Sequence, residues 1–323
     1  MSKLVLKVEN LQKKYPIYGT FGKLMPPKTN MLAVSDLSFD LYEGETYGLV
    51  GESGCGKSTT GRCILGLVNS DGGEINYKNQ NLCNLKEKDF RPLRKDIQLV
   101  FQDTLSSLSP KQRIGEILEE PLIIQKIGTQ SSRKDSVLDM LNKVGLPSEY
   151  YFRYPHELSG GQVQRLGIAK ALIINPKLIV CDEPVSALDV SIQAQVLNML
   201  ISLQKEMNLS LLFISHDIGV VKHISHRIGV MYLGTLVEEA TSEELFNNPK
   251  HPYTRALLNA VPKIGVKKEN SSIVGEQPTR TDEFVGCVFN TRCPYATDMC
   301  RESMPTYRYV NEQHKVACHF DTI

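Results

Sequence analysis

Gly51-Glu52-Ser53-Gly54-Cys55-Gly56-Lys57-Ser58 is the stretch on which the fold of this chain turns. It follows a short β-prone run, Thr46 to Val50, and opens a helix-compatible segment from Lys57 to Leu67. The pattern G-x-x-x-x-G-K-[ST] between strand and helix is a phosphate cradle. Its glycines let backbone N–H groups approach phosphate oxygens, and the helix N-terminus adds partial positive charge. Lys57 is placed to reach the β- and γ-phosphates and the Ser58 hydroxyl to ligate Mg²⁺, with Gly51, Ser53, Gly54, Cys55, Gly56 and Thr59 completing the loop. A glycine-rich turn with no ligand would need both flanking elements to be there by chance.

Outward from this loop the chain reads as α/β. Leu4 to Val8 predicts an opening strand, and Pro16 to Asn30 a turn-rich surface stretch containing Pro26 and Pro27. Leu37, Phe39 and Leu41 alternate with polar residues as a half-buried strand does. Ile97–Phe101, Leu178–Val180 and Leu211–Ile214 are compact apolar runs, the mark of fully buried strands. Between the first two the spacing of Val137, Leu138, Leu141 and Val144 predicts a helix, stopped by Gly145. Arg227–Tyr232 and Thr235–Glu238, joined by Leu233-Gly234, predict a hairpin. From about Pro262 to Gln277 the chain turns polar and lysine-rich, as a linker does, and no internal repeat is visible.

Composition narrows the function classes. The 323 residues predict two domains, or one large domain with an appendage. With 41% hydrophobic and 23% charged residues the chain is ordinary globular material, which excludes a disordered or collagen-like one. Lys and Arg (37) nearly cancel Asp and Glu (36), so no broad basic field is available to attract nucleic acid. No apolar stretch reaches the roughly 18–20 residues that span a bilayer, and the first ten residues lack the apolar core of a signal peptide. The expectation is a cytoplasmic chain whose membrane role comes through partners.

Far from the loop, Leu178-Ile179-Val180-Cys181 ends in Asp182-Glu183. Asp182 suits the role of holding Mg²⁺, and Glu183 that of general base or orienter of the attacking water. Two acids at a strand end are, taken alone, more often a solvated loop; the phosphate loop upstream reverses that preference.

Leu158-Ser159-Gly160-Gly161-Gln162 and the helix-compatible Val163–Leu172 after it resemble the signature motif of ATP-binding cassette (ABC) proteins, which other phosphate-loop kinases and GTPases lack. The resemblance implies an α/β P-loop NTPase fold, an ABC nucleotide-binding domain over 1–261 with a helical signature subdomain at about 103–175, and a small cysteine-rich C-terminal appendage over 262–323. It implies that Ser159, Gly160, Gly161 and Gln162 bind the γ-phosphate held on an opposing subunit. By the same resemblance Tyr15 stacks on adenine, Gln102 touches Mg²⁺ or water, Asp189 belongs to a loop crossing the dimer interface, and His216 contacts the γ-phosphate. Glu183, His216 and Gln102 are then the catalytic set, and Ser58, Gln102 and Asp182 the Mg²⁺ set. Val163, Lys170 and His226 stand where the family commonly has Arg, Arg and Asp.

The run Glu183–Gln195, the segment Asn248-Pro249-Lys250-His251-Pro252-Tyr253-Thr254 and the terminal cysteines resemble the ATPase subunits of oligopeptide/dipeptide importers. That likeness implies ATP and Mg²⁺ as cofactors and uptake of peptides as the task. The implied partners are two membrane permease subunits, a sister ATP-binding subunit and an extracytoplasmic peptide-binding protein, with no nucleic acid, at the cytoplasmic face of the membrane. A nickel chelate or glutathione as cargo, or a soluble ABC ATPase, are the alternatives. A regulatory or redox-sensing module with secondary ATPase activity is the reading from another class, opposed by the full catalytic set.

Four of the eight cysteines crowd into the last 37 residues as Cys287-x5-Cys293-x6-Cys300-x17-Cys318. Four thiolates can hold a [4Fe–4S] cluster or tetrahedral zinc, or can remain free in a small core. The lack of a C-x2-C pair weakens the zinc reading, and the importer likeness implies the cluster, in a structural or docking role. His314 and His319 are alternative ligands, although surface imidazoles are the preferred reading of both. Cys63, Cys83 and Cys181 read as small apolar residues.

Overall fold

The compact apolar runs become strands because, Gln98 aside, nothing in them would gain from facing water. The computed structural model describes residues 3–18, 26–260 and 275–321; most of the expected linker, and positions 19–25 of the turn-rich stretch, lie outside them. In chain order the first elements are β1 (Leu4–Ile17), β2 (Thr29–Tyr42), β3 (Thr46–Val50), α1 (Lys57–Ile64), β4 (Gly72–Tyr77), β5 (Gln80–Asn81) and α2 (Glu87–Phe90). There follow β6 (Ile97–Val100), α3 (Ile114–Ile124), α4 (Gln130–Lys143), α5 (Gly160–Leu172), β7 (Leu178–Asp182), α6 (Val190–Met207) and β8 (Ser210–Ser215). The chain continues through α7 (Ile218–Ile224), β9 (Arg227–Tyr232), β10 (Thr235–Thr241), α8 (Ser242–Asn247), α9 (Pro252–Ala260), α10 (Asp298–Glu302), β11 (Arg308–Asn311) and β12 (His314–Val316). Among the described residues no helix is long and apolar enough to cross a membrane.

These elements form two compact units. The first is built chiefly of Tyr42–Glu45 and Leu85–Ile214. In it β6, β7 and β8 run parallel, with Ile97 opposite Leu178 and Leu178 opposite Ser210. β8 is buried along its whole length and β7 up to Asp182, which explains apolar runs without alternation. Parallel strands deliver functional groups at their carboxyl ends, and β7 ends on Asp182. Helices α3, α4 and α5 fill the sequence between β6 and β7. On α4 the buried face is Val137, Met140, Leu141 and then Val144. Met140 replaces the expected Leu138 because i, i+3, i+4, i+7 is the spacing of one helical stripe. Gly145 ends the helix at φ 69°.

The second unit comprises Leu4–Leu41, Thr46–Asn84 and the chain from Ser215 onward. It carries a four-stranded sheet in the order β2-β1-β4-β5, with Leu6 opposite Tyr77 and Val8 opposite Ile75 across an antiparallel pair. It also carries strands in the order β11-β12-β10-β9-β3, where β3 is parallel to β9 and the rest are antiparallel. The expected hairpin is β9–β10, turning through Leu233 and Gly234 at φ 44° and 81°. Helix α1 stops at Ile64, three residues short of expectation, ahead of Gly66 at φ 64°.

One expectation is corrected here. The cysteine-bearing tail is not a separate appendage: β12 pairs with β10, Glu238 opposite Val316, and β11 pairs with β12. Phe289 is 1% exposed and its ring lies 5.3 Å from Tyr232 and 5.4 Å from Tyr253. Strands of three and four residues are too short for periodicity to reveal.

Candidate functional site

The phosphate loop lies between β3, buried throughout, and α1, whose N-cap is Gly56. Gly56 adopts φ 106°, and a Cβ there would fall 2.0 Å from the Ala33 carbonyl oxygen, so only glycine fits. Lys57 is 4% exposed; its ammonium donates to the carbonyls of Gly51 at 2.7 Å and Glu52 at 2.9 Å and lies 3.7 Å from Cys55 Sγ. The cation is thus held inside the loop by two backbone carbonyl oxygens. Ser53 and Gly54 are exposed, Ser58 and Thr59 half-buried. Burial raises the pKa of the Cys55 thiol, which keeps it a neutral filler beneath the loop. The turn of the β9–β10 hairpin secures the loop from below, Gly234 N–H donating to the Cys55 carbonyl at 2.9 Å.

The same unit holds Tyr15 and His216. Tyr15 is half-buried near the end of β1, with Lys13 Nζ 5.4 Å from its ring centroid. His216 is exposed just past β8, beside Asp217, whose carboxylate caps α7 by accepting from Gly219 N–H at 2.8 Å. His226, one of the departures from the family pattern, accepts the Thr46 N–H on Nδ1 at 3.0 Å and so anchors the start of β3.

The other expected groups lie in the first unit. Glu183 follows Asp182 with φ 49°, a left-handed conformation that a non-glycine residue adopts only when held there. Its N–H donates to the Ile214 carbonyl at 2.9 Å, and its Oε2 accepts from Gln102 Nε2 at 3.3 Å. The structure therefore brings Gln102 and Glu183 together, though they stand 81 positions apart. Ser186 Oγ donates back to the Glu183 carbonyl at 3.1 Å, and Gln193 Nε2 to the carbonyls of Val185 and Leu188 at 2.9 and 3.0 Å. Those bonds fold Val185–Asp189 into a tight loop that ends at Asp189, the exposed N-cap of α6.

Ser159 is the N-cap of α5 at φ −70°, ψ 161°, and its N–H donates to Gln162 Oε1 at 3.0 Å. Gly160 is exposed, while a Cβ on Gly161 would meet Ile192 Cγ2 at 2.5 Å. A 13-residue helix beginning at an open serine–glycine cap offers N–H groups and partial positive charge to an anion.

Sequence reasoning missed two supports. Thr104, two residues past Gln102, donates its hydroxyl to Gln164 Oε1 on α5 at 2.7 Å, tying the Gln102 turn to the signature helix. Glu52 is engaged by Tyr253 and Arg292. Tyr253 sits in the Asn248–Thr254 run already singled out; nothing in the sequence marks Arg292.

Mg²⁺ bound with a nucleotide takes only one or two protein oxygens and the rest from phosphate and water. The Ser58 hydroxyl and Asp182 carboxylate are donors of that type. The terminal cysteines are different. Cys287 and Cys300 are buried, Cys293 and Cys318 half-buried, and Cys287 N–H donates to the Cys300 carbonyl at 2.8 Å. Burial pushes the Cys287 thiol up to about 11, with the other three cysteines adding to the rise, so all four lie in one another's electrostatic reach. Yet among the described residues no group of three or more His, Cys, Asp or Glu is arranged to hold a metal ion. Neither the expected [4Fe–4S] site nor the zinc alternative gains support from this geometry. His314 is no spare ligand: its Nε2 lies 2.8 Å from Glu238 in a fully buried pair. His319 Nε2 lies 3.0 Å from the Ser303 carbonyl.

Comparison with known proteins agrees with the geometry. Residues 34–186 match the family model of ABC transporters, and residues 237–300 that of the oligopeptide/dipeptide transporter C-terminal region. The oligopeptide transport ATP-binding protein OppF of Escherichia coli (strain K12) is 50% identical over 323 residues, covering 98% of this chain and 96% of that protein. The oligopeptide transport ATP-binding protein AppF of Bacillus subtilis (strain 168) is 48% identical over 320 residues, 98% of this chain and 97% of that one. Among solved structures, the dimeric post-hydrolysis state of the ATP-binding cassette MJ0796 bound to ADP and Pi aligns with a TM-score of 0.65 at 29% identity, covering 73% of this chain and 98% of that chain. CbiO1 of Clostridium perfringens, part of the ABC transporter complex cbiONQ, aligns with a TM-score of 0.66 at 25% identity over 76% and 92%. Sharing about half its residues with such proteins along nearly its whole length, this chain belongs to the ATP-binding proteins of the oligopeptide/dipeptide ABC transporter family.

Proposed function

We propose that this chain is the ATP-hydrolysing subunit that powers uptake of di- and oligopeptides through a membrane transporter. The observation that carries the chemistry is Glu183, strained at φ 49° directly after Asp182, with its carboxylate held by Gln102 at 3.3 Å. A residue kept in that conformation between two functional neighbours is placed for work rather than for packing. ATP and Mg²⁺ fit the family. In the proposal Gly51–Thr59 cradle the β- and γ-phosphates, Ser58, Asp182 and Gln102 set Mg²⁺ and its water, and Tyr15 meets adenine. Glu183 takes the proton of the attacking water and His216 contacts the γ-phosphate. Ser159–Gln162 and Asp189 complete the site of an opposing ATPase subunit, which assigns the chain to a pair.

Peptide cargo is supported by the relatives' names; two permease subunits, a sister ATPase, an extracytoplasmic binding protein and a place at the cytoplasmic face of the membrane complete the proposal. The division at 1–261 and 262–323 belongs to the same proposal as a division of task, since the C-terminal strands share a sheet with β10. A [4Fe–4S] cluster on Cys287, Cys293, Cys300 and Cys318 rests on the crowding of the four cysteines in the sequence and on the importer likeness alone. Iron and sulfide analysis after anaerobic purification tests it, and absence of both removes it.

Glu183→Gln preserves the shape of the site and removes the base. It is expected to keep ATP binding and lower turnover by at least about 10²-fold; near-normal turnover refutes the role. Co-purification from native membranes with subunit identification tests the assembly. Permeases, a second ATPase and a peptide-binding protein support it, and recovery of the chain with ribosomes or DNA overturns it.

A further inference from the structure

Glu52 is the second residue of the phosphate loop, and the C-terminal part of the chain grips it. Its backbone N–H donates to the Tyr253 hydroxyl at 2.9 Å. Its carboxylate pairs with Arg292 at 2.8 Å, where the arginine side chain is 8% exposed and the glutamate 25%. Arg292 also donates to the Tyr232 hydroxyl at 3.2 Å. Gln277, with its amide oriented to satisfy its neighbours, donates to Glu52 Oε2 at 3.3 Å and to the Ser53 carbonyl at 3.1 Å. Phe289, three residues before Arg292, packs against Tyr232 and Tyr253 and fixes both hydroxyls in place. On the opposite side the Glu52 carbonyl accepts Lys57 Nζ at 2.9 Å.

The residue is therefore held from outside at its N–H and side chain while its carbonyl holds the phosphate-seeking lysine inside. A carboxylate in the loop would by itself repel nucleotide phosphates, and a largely buried guanidinium at 2.8 Å cancels that charge. We propose that Arg292 is a positioning residue for nucleotide binding: with Tyr253 it fixes the Glu52 peptide and neutralises the Glu52 carboxylate beside the phosphates. The C-terminal region thereby becomes a working part of the ATP site. This inference rests on the assignment of Gly51–Ser58 as the nucleotide loop.

The test is equilibrium binding of a fluorescent ATP analogue to the full chain. Arg292→Ala is expected to weaken binding about tenfold, because a loop carboxylate loses its partner. Adding Glu52→Gln to Arg292→Ala should restore affinity to within about threefold of the parent, and raising salt should shrink the Arg292→Ala deficit. A merely structural arginine would give no such rescue. If Arg292→Ala is recovered only as aggregate, Arg292→Lys serves instead: it keeps the charge and is expected to bind within about threefold. Loss of affinity in Arg292→Ala that Glu52→Gln does not rescue, or no loss at all, overturns the proposal. Lys57→Ala is the control; unaltered binding there refutes the loop assignment and the inference with it, whereas loss there beside an unchanged Arg292→Ala refutes the inference alone.

Discussion

His251 offers the sharpest test of how the C-terminal segment is built. It is 1% exposed, its Nδ1 accepts the Tyr253 N–H at 3.1 Å, and its ring lies 5.9 Å from Phe289. Burial lowers its pKa from 6.5 to about 4, against a weaker opposing pull from Glu238. The folded state thus prefers the neutral ring, and the unfolded chain takes up the proton first as pH falls. The stabilisation is complete above about 6.5 and is lost progressively toward pH 4. At roughly 1.4 kcal/mol per pKa unit the full loss is roughly 3 kcal/mol, of which roughly 2 kcal/mol falls between pH 7 and pH 5. His314, raised by its bonds to Glu238 and Glu244 although burial alone would lower it, works in the opposite direction. Its contribution is present below its ordinary pKa and fades as pH rises. Comparing the protein with His251→Gln cancels that contribution, since Gln can accept the Tyr253 N–H but does not titrate. Urea unfolding at pH 7 and pH 5 should show the parent losing about 2 kcal/mol more than the variant. Parallel losses would refute a buried neutral His251.

Phe289→Ala should cost about 3–5 kcal/mol in urea unfolding, as removal of a buried ring does; a loss under about 1 kcal/mol would mean that the cysteine-bearing tail is no part of the core. Thr104→Val leaves the Gln164 amide, whose Nε2 is already buried without a partner, with neither end bonded. It is expected to cost about 1–3 kcal/mol by the same measurement, and a neutral result would deny the tie between the Gln102 turn and α5. Gly56→Ala drives a Cβ to 2.0 Å from the Ala33 carbonyl at φ 106°. Nucleotide binding should fall at least about tenfold in a titration, and retained affinity would contradict the loop geometry.

Much was legible from local pattern. The compact apolar runs at 97, 178 and 211 predicted strands, and those at 178 and 211 are buried on both faces, where parallel strands need no polar alternation. Gly51–Ser58 predicted a loop between strand and helix because few backbones other than glycine-rich ones can turn there. The tail was opaque: its strands are three and four residues long, and its order comes from Phe289 entering an aromatic cluster rather than from periodicity.

The sequence by itself determined the residue types and their local settings: the glycine cradle, the acids ending β7, the serine–glycine start of α5. Tertiary structure decided what touches what. It set Gln102 against the Glu183 carboxylate, twisted Glu183 into a left-handed backbone, and brought Arg292 onto Glu52 across 240 positions. Motifs are legible because a short stretch of backbone sets them. A salt bridge between distant residues depends on where strands and aromatic rings have already packed, and no local pattern records that.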